Sequence, residues 1–132
     1  MTILLIHPDP ACHCDTLPQP AATEALCCRG FDAPGTLLSA LRDVHGTDID
    51  LVVIDAGAHL QDCTQADGHA LLGALEGLPM PWIEVQHAAA PTLDEWLHPR
   101  HAARVVVRDG GSDRYALPLA VARHCVRVQA GR

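Results

Sequence analysis

The sequence contains no Lys and no Asn, and aromatic residues make up only 3% of its 132 residues. Without Lys it cannot carry a Walker-type phosphate-binding loop, and it contains no Gly-x-Ser-x-Gly element of the kind that presents a nucleophilic serine. All nine basic residues are Arg, and sixteen acidic residues outnumber them, which gives a net charge of −7. That acidity argues against general affinity for nucleic acid or for an anionic membrane, so we expect neither as a partner.

Long apolar runs are also missing, although 48% of the residues are apolar. The composition therefore predicts a folded protein with an aliphatic core and no membrane span. The length suits one domain, which we place over residues 1–132. The N-terminus lacks a basic segment ahead of an apolar stretch, so we expect a cytoplasmic protein. In that compartment the six Cys residues are expected to be free thiols or metal ligands more than disulfides.

Short apolar runs alternate with helical patterns along the chain. The runs predict strands at residues 3–6, 23–28, 51–54, 82–85 and 105–107. Helices are predicted at residues 34–44, at 66–75, as a short piece around 92–95, and from 112 or 113 to about 128. Asp32 and Thr64 are the expected N-caps of the first two helices, and Pro118 indicates a late start or a kink in the last one. Four prolines between residues 8 and 22 exclude a regular helix there.

Strands alternating with helices predict an α/β fold, specifically a flavodoxin-like three-layer sandwich around a five-stranded parallel sheet. Ligands of such sheets bind at the carboxyl ends of the strands, near the point where the strand order reverses. Polar residues gather at the ends of three predicted strands and are therefore candidate site residues. They are His7 after the first strand, Asp55 and His59 after the third, and Glu84, Gln86 and His87 around the end of the fourth.

A group of cysteines near the N-terminus could hold a soft metal. Its members are Cys12, Cys14, Cys27 and Cys28, with His13 among them. Thiolate and imidazole ligands suit zinc or copper(I). The spacing is not that of a zinc ribbon, so we expect no bound metal and no other cofactor, and we keep a thiol or metal protein as an alternative hypothesis.

Several segments resemble the type II 3-dehydroquinate dehydratases (dehydroquinases), in the same order along the chain. Residues 54–59, Ile-Asp-Ala-Gly-Ala-His, resemble that family's Ile-Asn-Pro-Gly-Ala-Tyr. Residues 81–85, Pro-Trp-Ile-Glu-Val, resemble its Pro-x-Ile-Glu-Val, which a catalytic His follows. Residues 32–37 resemble its Asn-His-Glu-Gly-Glu-Leu, and residues 111–119 resemble its Gly-x-x-Gly-Tyr-x-Leu-x-Leu. The resemblance covers about residues 29–122 and the first strand, and it implies that the family's first helix is shortened or missing here.

The family's reaction requires four groups. A deprotonated Tyr on the loop after the first strand removes a proton next to a ketone, and an Arg of the same loop lowers the pKa of that Tyr. An Asn holds a water that stabilises the enolate, and a His oriented by a Glu protonates the departing hydroxyl. The resemblance thus implies a lyase of the shikimate pathway.

The resemblance also assigns positions in this chain. It places Asp55 at the Asn, Glu84 at the orienting Glu, and Gln86 at the acid His, with His87 beside it. Substrate contacts are implied at His7, Gly57, His59 and Ala88, and Ala88 replaces a Ser that binds the substrate carboxylate. The only Tyr, Tyr115, falls at a structural position of the motif.

These departures predict a degenerate active site. A carboxylate at Asp55, about 4 Å from an enolate oxygen, would cost about 4 kcal/mol at an effective dielectric of about 20, or about three decades of rate. Gln86 cannot give up a proton, and His87 could replace it only through a bulge, because neighbours on a strand face opposite sides. We therefore expect weak or no dehydration of 3-dehydroquinate and a binding or assembly role. A small polar acid is the candidate ligand, and a homo-oligomer, by resemblance a trimer or dodecamer, is the candidate assembly.

Two other functions compete with this one. The first is an active 3-dehydroquinate dehydratase of the shikimate or quinate pathway. The second is a receiver-like signalling domain, since residues 3–10 look like a receiver's first strand and acidic pair, and Asp55 would be the phosphoacceptor with Arg108 in place of the usual Lys. Against a receiver, His7 and Pro8 interrupt the acidic pair that would bind Mg²⁺.

Overall fold

A computed structural model describes residues 1–8, 25–56, 63–86, 91–108 and 115–130. These residues contain a five-stranded sheet in which every pair of neighbouring strands is parallel and the strand order is β2-β1-β3-β4-β5. The strands are β1 (Thr2–His7), β2 (Ala25–Gly30), β3 (Leu51–Ile54), β4 (Trp82–Gln86) and β5 (Val106–Arg108). The predicted five-stranded parallel sheet is confirmed, with strand ends within two residues of their predicted places.

Helices cover both faces of the sheet and complete a three-layer α/β sandwich. They are α1 (Pro34–Arg42), α2 (Gln65–Glu76), α3 (Leu93–Leu97) and α4 (Ala116–Ala130). Helices α1, α2 and α3 pack on one face, where the core includes Leu4, Ile6, Val52, Ile54 and Trp82 of the sheet. Helix α4 packs on the other face, against Ile3, Leu5, Val53, Ile83 and Val107. The predicted state of the first helix concerns residues 9–24 and lies outside the described residues.

The structure confirms the predicted N-cap of α2 and corrects the predicted N-cap of α1. At α2, Thr64 Oγ1 accepts from Asp67 N at 3.1 Å and Thr64 N donates to Asp67 Oδ2 at 2.9 Å, so the predicted capping box is confirmed. At α1 the N-cap is Ala33 and not Asp32, which is a correction. The hydroxyl of Thr36 takes the capping role instead, because it accepts the amides of Asp32 and Ala33 at 3.1 Å each.

The last helix begins at Ala116, later than its sequence pattern alone would place it. Pro118 is then in the first turn, where the missing N–H of a proline leaves no helical bond unmade. The late start that Pro118 indicated is confirmed, while the expected openers Ser112 and Asp113 lie outside the described residues. Within those residues, none of the helices is both long and apolar enough to cross a membrane.

Two glycines of α2 differ in what surrounds them. A Cβ at Gly68 would lie 2.9 Å from Cη2 and 3.0 Å from Cζ2 of the Trp96 indole, while a Cβ at Gly73 would meet nothing within 4 Å. Trp96 of α3 therefore rests directly on the backbone of α2 at Gly68. This close approach holds the two helices together on one face of the sheet.

The two positions form a matched pair for substitution. Gly73→Ala should raise the free energy of unfolding by about 1 kcal/mol, because Ala is the better residue in an exposed helix interior. Gly68→Ala should lower it by about 1 kcal/mol, because overpacking against the indole costs more than the helix gains, and tryptophan fluorescence should change. Urea unfolding measures both values, and equal stabilisation by the two changes would contradict the contact between Trp96 and α2.

Candidate functional site

Three polar side chains meet at the carboxyl edge of the sheet, on the face that α4 covers. His7 ends β1, Asp55 directly follows β3, and Tyr115 directly precedes α4. His7 and Asp55 are each only 2% exposed. The Tyr115 hydroxyl donates to Asp55 Oδ2 at 2.5 Å, and the rings of His7 and Tyr115 lie 6.3 Å apart between centroids. We refer to these three residues as the edge cluster.

The parallel pairing of β1 and β3 brings the two strand residues of the edge cluster together. Asp55 N donates to Ile6 O at 2.8 Å, which continues the ladder one residue past the end of β3. Side chains alternate along a strand, so Asp55 follows Val53 and His7 follows Leu5 on the face that packs against α4. The third member, Tyr115, stands immediately before α4, and its carbonyl accepts the first hydrogen bond of that helix, from Leu119 N at 2.9 Å.

The backbone of Tyr115 is unusual for a bulky residue. Its φ is +69°, in the left-handed region that residues other than glycine rarely occupy. Such a conformation costs about 1 kcal/mol or more and persists only where surrounding contacts compensate for it. The hydrogen bond to Asp55 and the packing of the Tyr115 ring beside the α4-side core supply such contacts.

The Tyr115–Asp55 contact is a short hydrogen bond to a buried carboxyl group. A donor–acceptor distance of 2.5 Å lies within the range of hydrogen bonds from a hydroxyl to a carboxylate anion. A carboxylate at 2% exposure needs such a donor, because an unsatisfied buried charge is costly. The edge cluster therefore places a carboxyl group beneath a tyrosine hydroxyl at the end of β3. Tyr115 was not among the site residues predicted from the sequence, because its hydrogen bond to Asp55 joins residues sixty positions apart.

Glu84, the predicted orienting carboxylate, lies on the opposite face of the sheet and holds the start of α3. Its Oε2 accepts from Leu93 N at 2.6 Å and its Oε1 accepts from Asp94 N at 3.0 Å. The side chain is 1% exposed, and burial raises the pKa of Glu84 from 4.5 to about 7, while the two amides act in the other direction and nearby Asp94 and Glu95 add to the rise. Glu84 thus serves as a buried cap for a short helix.

The remaining predicted site residues divide between the described and the undescribed parts of the chain. Gln86 ends β4, is half-buried, and pairs in register with Arg108 of β5. Alternation along β4 puts Gln86 on the side of Glu84, across the sheet from Asp55. The predicted site residues Gly57, His59, His87 and Ala88 lie outside the described residues.

An open cavity lies away from the edge cluster, between α2 and α3. Its volume is about 450 Å³. Gln65, Gly68, His69, Leu72, Trp96 and Leu97 line it. None of the residues that the sequence analysis selected contributes to this lining, so the cavity is separate from the predicted site.

The described part of the chain offers little support for a metal centre. Within it, no three His, Cys, Asp or Glu side chains lie close enough together to hold a metal ion. Cys27 and Cys28 are neighbours on β2, where Cys27 is exposed and Cys28 is half-buried. Cys12 and Cys14 lie outside the described residues, so the four-cysteine hypothesis stays a prediction.

Comparison with known proteins identifies the architecture. The chain is similar to the crystal structure of a type II dehydroquinase from Butyrivibrio crossotus DSM 2876, with a TM-score of 0.58 and 16% sequence identity. The similarity covers 96% of this chain and 97% of that one. No model of a known protein family and no curated protein sequence matches the chain. At this identity the similarity establishes a dehydroquinase-like α/β fold.

The raised pKa of Glu84 predicts a pH dependence of stability. Between about pH 4.5 and pH 7 the folded protein keeps a proton that the unfolded chain has lost, so the free energy of unfolding should fall as pH rises, by about 3 kcal/mol in total. Glu84→Gln carries no charge at any pH and should abolish this fall. Urea unfolding across that range measures it, with Glu76→Gln at an exposed position of α2 as the matched control. An unchanged slope in Glu84→Gln would contradict the assignment.

Proposed function

We propose that this chain is a dehydroquinase-fold protein that binds a small polar ligand at the carboxyl edge of its sheet and dehydrates 3-dehydroquinate weakly or not at all. The observation that carries the proposal is the 2.5 Å hydrogen bond from the Tyr115 hydroxyl to the buried carboxylate of Asp55. This hydrogen bond supports a fixed negative charge at Asp55, after β3, where by resemblance the related enzymes have a neutral Asn.

Electrostatics is the first reason for expecting low dehydratase activity. An enolate intermediate develops negative charge on oxygen and is stabilised by nearby donors. A carboxylate about 4 Å away would raise its energy by about 4 kcal/mol at an effective dielectric of about 20. That penalty corresponds to about three decades of rate.

The proton-transfer groups are the second reason. A tyrosine that donates its proton to Asp55 is not arranged as the phenolate base that the reaction requires. Gln86 stands at the position of the acid His and has no proton to give. General acid and general base each contribute about 10²–10⁴ in rate, so the loss of both would leave little turnover.

Binding is the role that the remaining groups support. The edge cluster offers an imidazole at His7 and a hydroxyl at Tyr115 over a buried carboxylate, which suits a ligand that carries hydroxyl groups. By resemblance the ligand would be a small polar acid, and Gly57, His59 and Ala88 would line the same site. The favoured role is therefore binding or assembly within a homo-oligomer, with active dehydration as the alternative.

A direct assay with 3-dehydroquinate tests this proposal. We expect no growth of enone absorbance with the purified protein, and turnover of about 1 s⁻¹, an ordinary enzyme rate, would overturn the proposal in favour of an active dehydratase.

Asp55→Asn should bind 3-dehydroquinate about tenfold more tightly by calorimetry, because it removes a buried negative charge and keeps an acceptor for Tyr115. Asp48→Asn removes the same charge from an exposed position and should leave the affinity unchanged.

The receiver-like alternative makes a different prediction about Asp55. The strand order found here is also that of receiver domains, but the Asp55 carboxylate is buried and already occupied by the Tyr115 hydroxyl. We therefore expect that beryllofluoride with Mg²⁺ causes no chemical-shift changes around Asp55. Saturable shifts centred on Asp55, absent in Asp55→Asn, would favour the receiver function instead.

A further inference from the structure

Helix α3 is the shortest helix in the described part of the chain and depends on contacts with its neighbours. Glu84 accepts from the amides of Leu93 and Asp94 in its first turn. The Leu93 side chain is fully buried in the core, and the indole of Trp96 lies on α2 at Gly68. A helix of five residues is too short to be stable by itself. Its position therefore depends on these contacts.

Glu84 connects a central strand to α3 through a buried carboxyl group. The side chain is only 1% exposed, and its oxygens accept at 2.6 Å and 3.0 Å from two backbone amides of α3. Strand β4 lies between β3 and β5, so it cannot move without breaking hydrogen bonds on both sides. Helix α3 packs on the surface of the sheet instead. The simplest movement that lets water reach Glu84 is therefore a movement of α3.

Acidic groups of α3 oppose the ionisation of Glu84. Burial is the main cause that raises the pKa of Glu84 to about 7, the two amides act against it, and Asp94 and Glu95 add to the rise. The Asp94 side chain is fixed, because its Oδ1 accepts from Ala103 N at 2.9 Å. Glu95 is exposed, as is His98, the C-cap residue of the helix. Movement of α3 would thus relieve both the burial of Glu84 and the repulsion from its neighbours.

The other elements beside Glu84 face it with apolar side chains. In the sheet it lies opposite Ile54 of β3 and Val106 of β5. The charged groups of the surrounding elements are exposed, and screened by water, or bonded to other residues. They are Arg104 and Arg108 beside Val106, Asp67, His69 and Glu76 of α2, and Asp55 on the opposite face of the sheet.

We propose that α3 is a pH-sensitive wall of the cavity between α2 and α3, docked while Glu84 is protonated and opening more often once Glu84 has lost its proton. Opening separates Trp96 from Gly68 and removes the side of the cavity that Trp96 and Leu97 form. Because opening also exposes the buried Leu93, the docked form predominates at every pH. The proposal does not depend on the ligand or activity of the edge cluster.

Proton linkage gives the direction and size of the effect. The docked form keeps the Glu84 proton up to about pH 7, while the opened form, with a solvated side chain, loses it near the ordinary pKa of 4.5. Opening therefore releases a proton between these two pH values. Its equilibrium constant should rise about tenfold per pH unit over that range, about 300-fold in total, and stay constant at higher pH.

Native-state hydrogen exchange detects such rare openings residue by residue. The amides of Leu93 and Asp94 are protected by their bonds to Glu84. Their protection factors, from which the intrinsic pH dependence of exchange is removed, should fall about tenfold per pH unit between pH 4.5 and about pH 7.

Low concentrations of urea separate opening of α3 from unfolding of the whole domain. Opening of a five-residue helix exposes little surface, so the protection of Leu93 and Asp94 should be almost the same with and without about 1 M urea. The amide of Val52, which donates to Pro81 O at 3.2 Å within the sheet, reports global unfolding. Its protection should be at least about tenfold higher and should fall with urea.

Substitution of Glu84 tests which group titrates. Glu84→Gln has no charge to gain and keeps an acceptor for the amides of α3, so the protection of Leu93 and Asp94 should no longer depend on pH. Glu76→Gln removes an exposed carboxylate of α2 and is the matched control. It should keep the native pH dependence.

Substitution of the glycines of α2 tests whether Trp96 moves with the first turn of α3. Gly68→Ala overpacks the indole contact and should lower the protection of Leu93 and Asp94 about fivefold at every pH, with the pH dependence unchanged. Gly73→Ala adds a methyl group where nothing lies within 4 Å and should leave that protection unchanged.

Four results would overturn the proposal. Constant protection in α3 between pH 4.5 and about pH 7 would mean that Glu84 titrates without movement of the helix. A decrease with urea equal to that of Val52 would mean that only global unfolding exposes Glu84. Equal pH dependence in Glu84→Gln and Glu76→Gln would assign the titration to another group. Unchanged protection in Gly68→Ala would separate the cavity from the opening. The first two measurements use the native protein and decide the matter even if Glu84→Gln does not fold.

Discussion

Two buried carboxylates, Asp55 just after β3 and Glu84 within the neighbouring β4, constrain how the helices pack on this sheet. Asp55 and Glu84 are 2% and 1% exposed, so each requires hydrogen-bond donors within the protein. Asp55 obtains one from the Tyr115 hydroxyl at the start of α4, and Glu84 obtains two from the amides that begin α3. Because strand residues alternate between faces, the two acids anchor helices on opposite sides of the sheet. The same polar contacts therefore fix the edge cluster and the position of α3.

The position of α3 in turn shapes a surface on the opposite face of the sheet from the edge cluster. Glu84 holds the first turn of α3, and Trp96 in the same helix lies on Gly68 of α2. The cavity between α2 and α3 depends on two contacts of this short helix, the hydrogen bond of its first turn to Glu84 and the contact of its Trp96 indole with Gly68. A substitution at Glu84 would therefore alter the cavity between α2 and α3, which shares no residue with the edge cluster.

The dehydroquinase-like architecture and the chemistry at the strand ends give different information about function. The similarity to a solved type II dehydroquinase spans nearly the whole of both chains and establishes the fold. The fold by itself does not specify a reaction, which depends on the groups at the site. Here the groups are a buried carboxylate, its tyrosine donor and a histidine, and the proposed binding role is argued from these groups and not from the fold.

The sequence by itself determined the order of strands and helices along the chain and the capping box at Thr64. It also placed His7, Asp55 and Glu84 in or directly after predicted strands. These features depend on local periodicity and on residue types a few positions apart. Only the tertiary structure decided that Tyr115 donates to Asp55 and that Glu84 caps α3. The central strand Leu51–Ile54 is apolar on both faces, so its pattern does not say which helix covers which side. The cap of α1 also depended on three-dimensional geometry. Ala33 is the N-cap, and the Thr36 hydroxyl accepts a backbone amide at the start of the helix in place of the predicted Asp32 side chain.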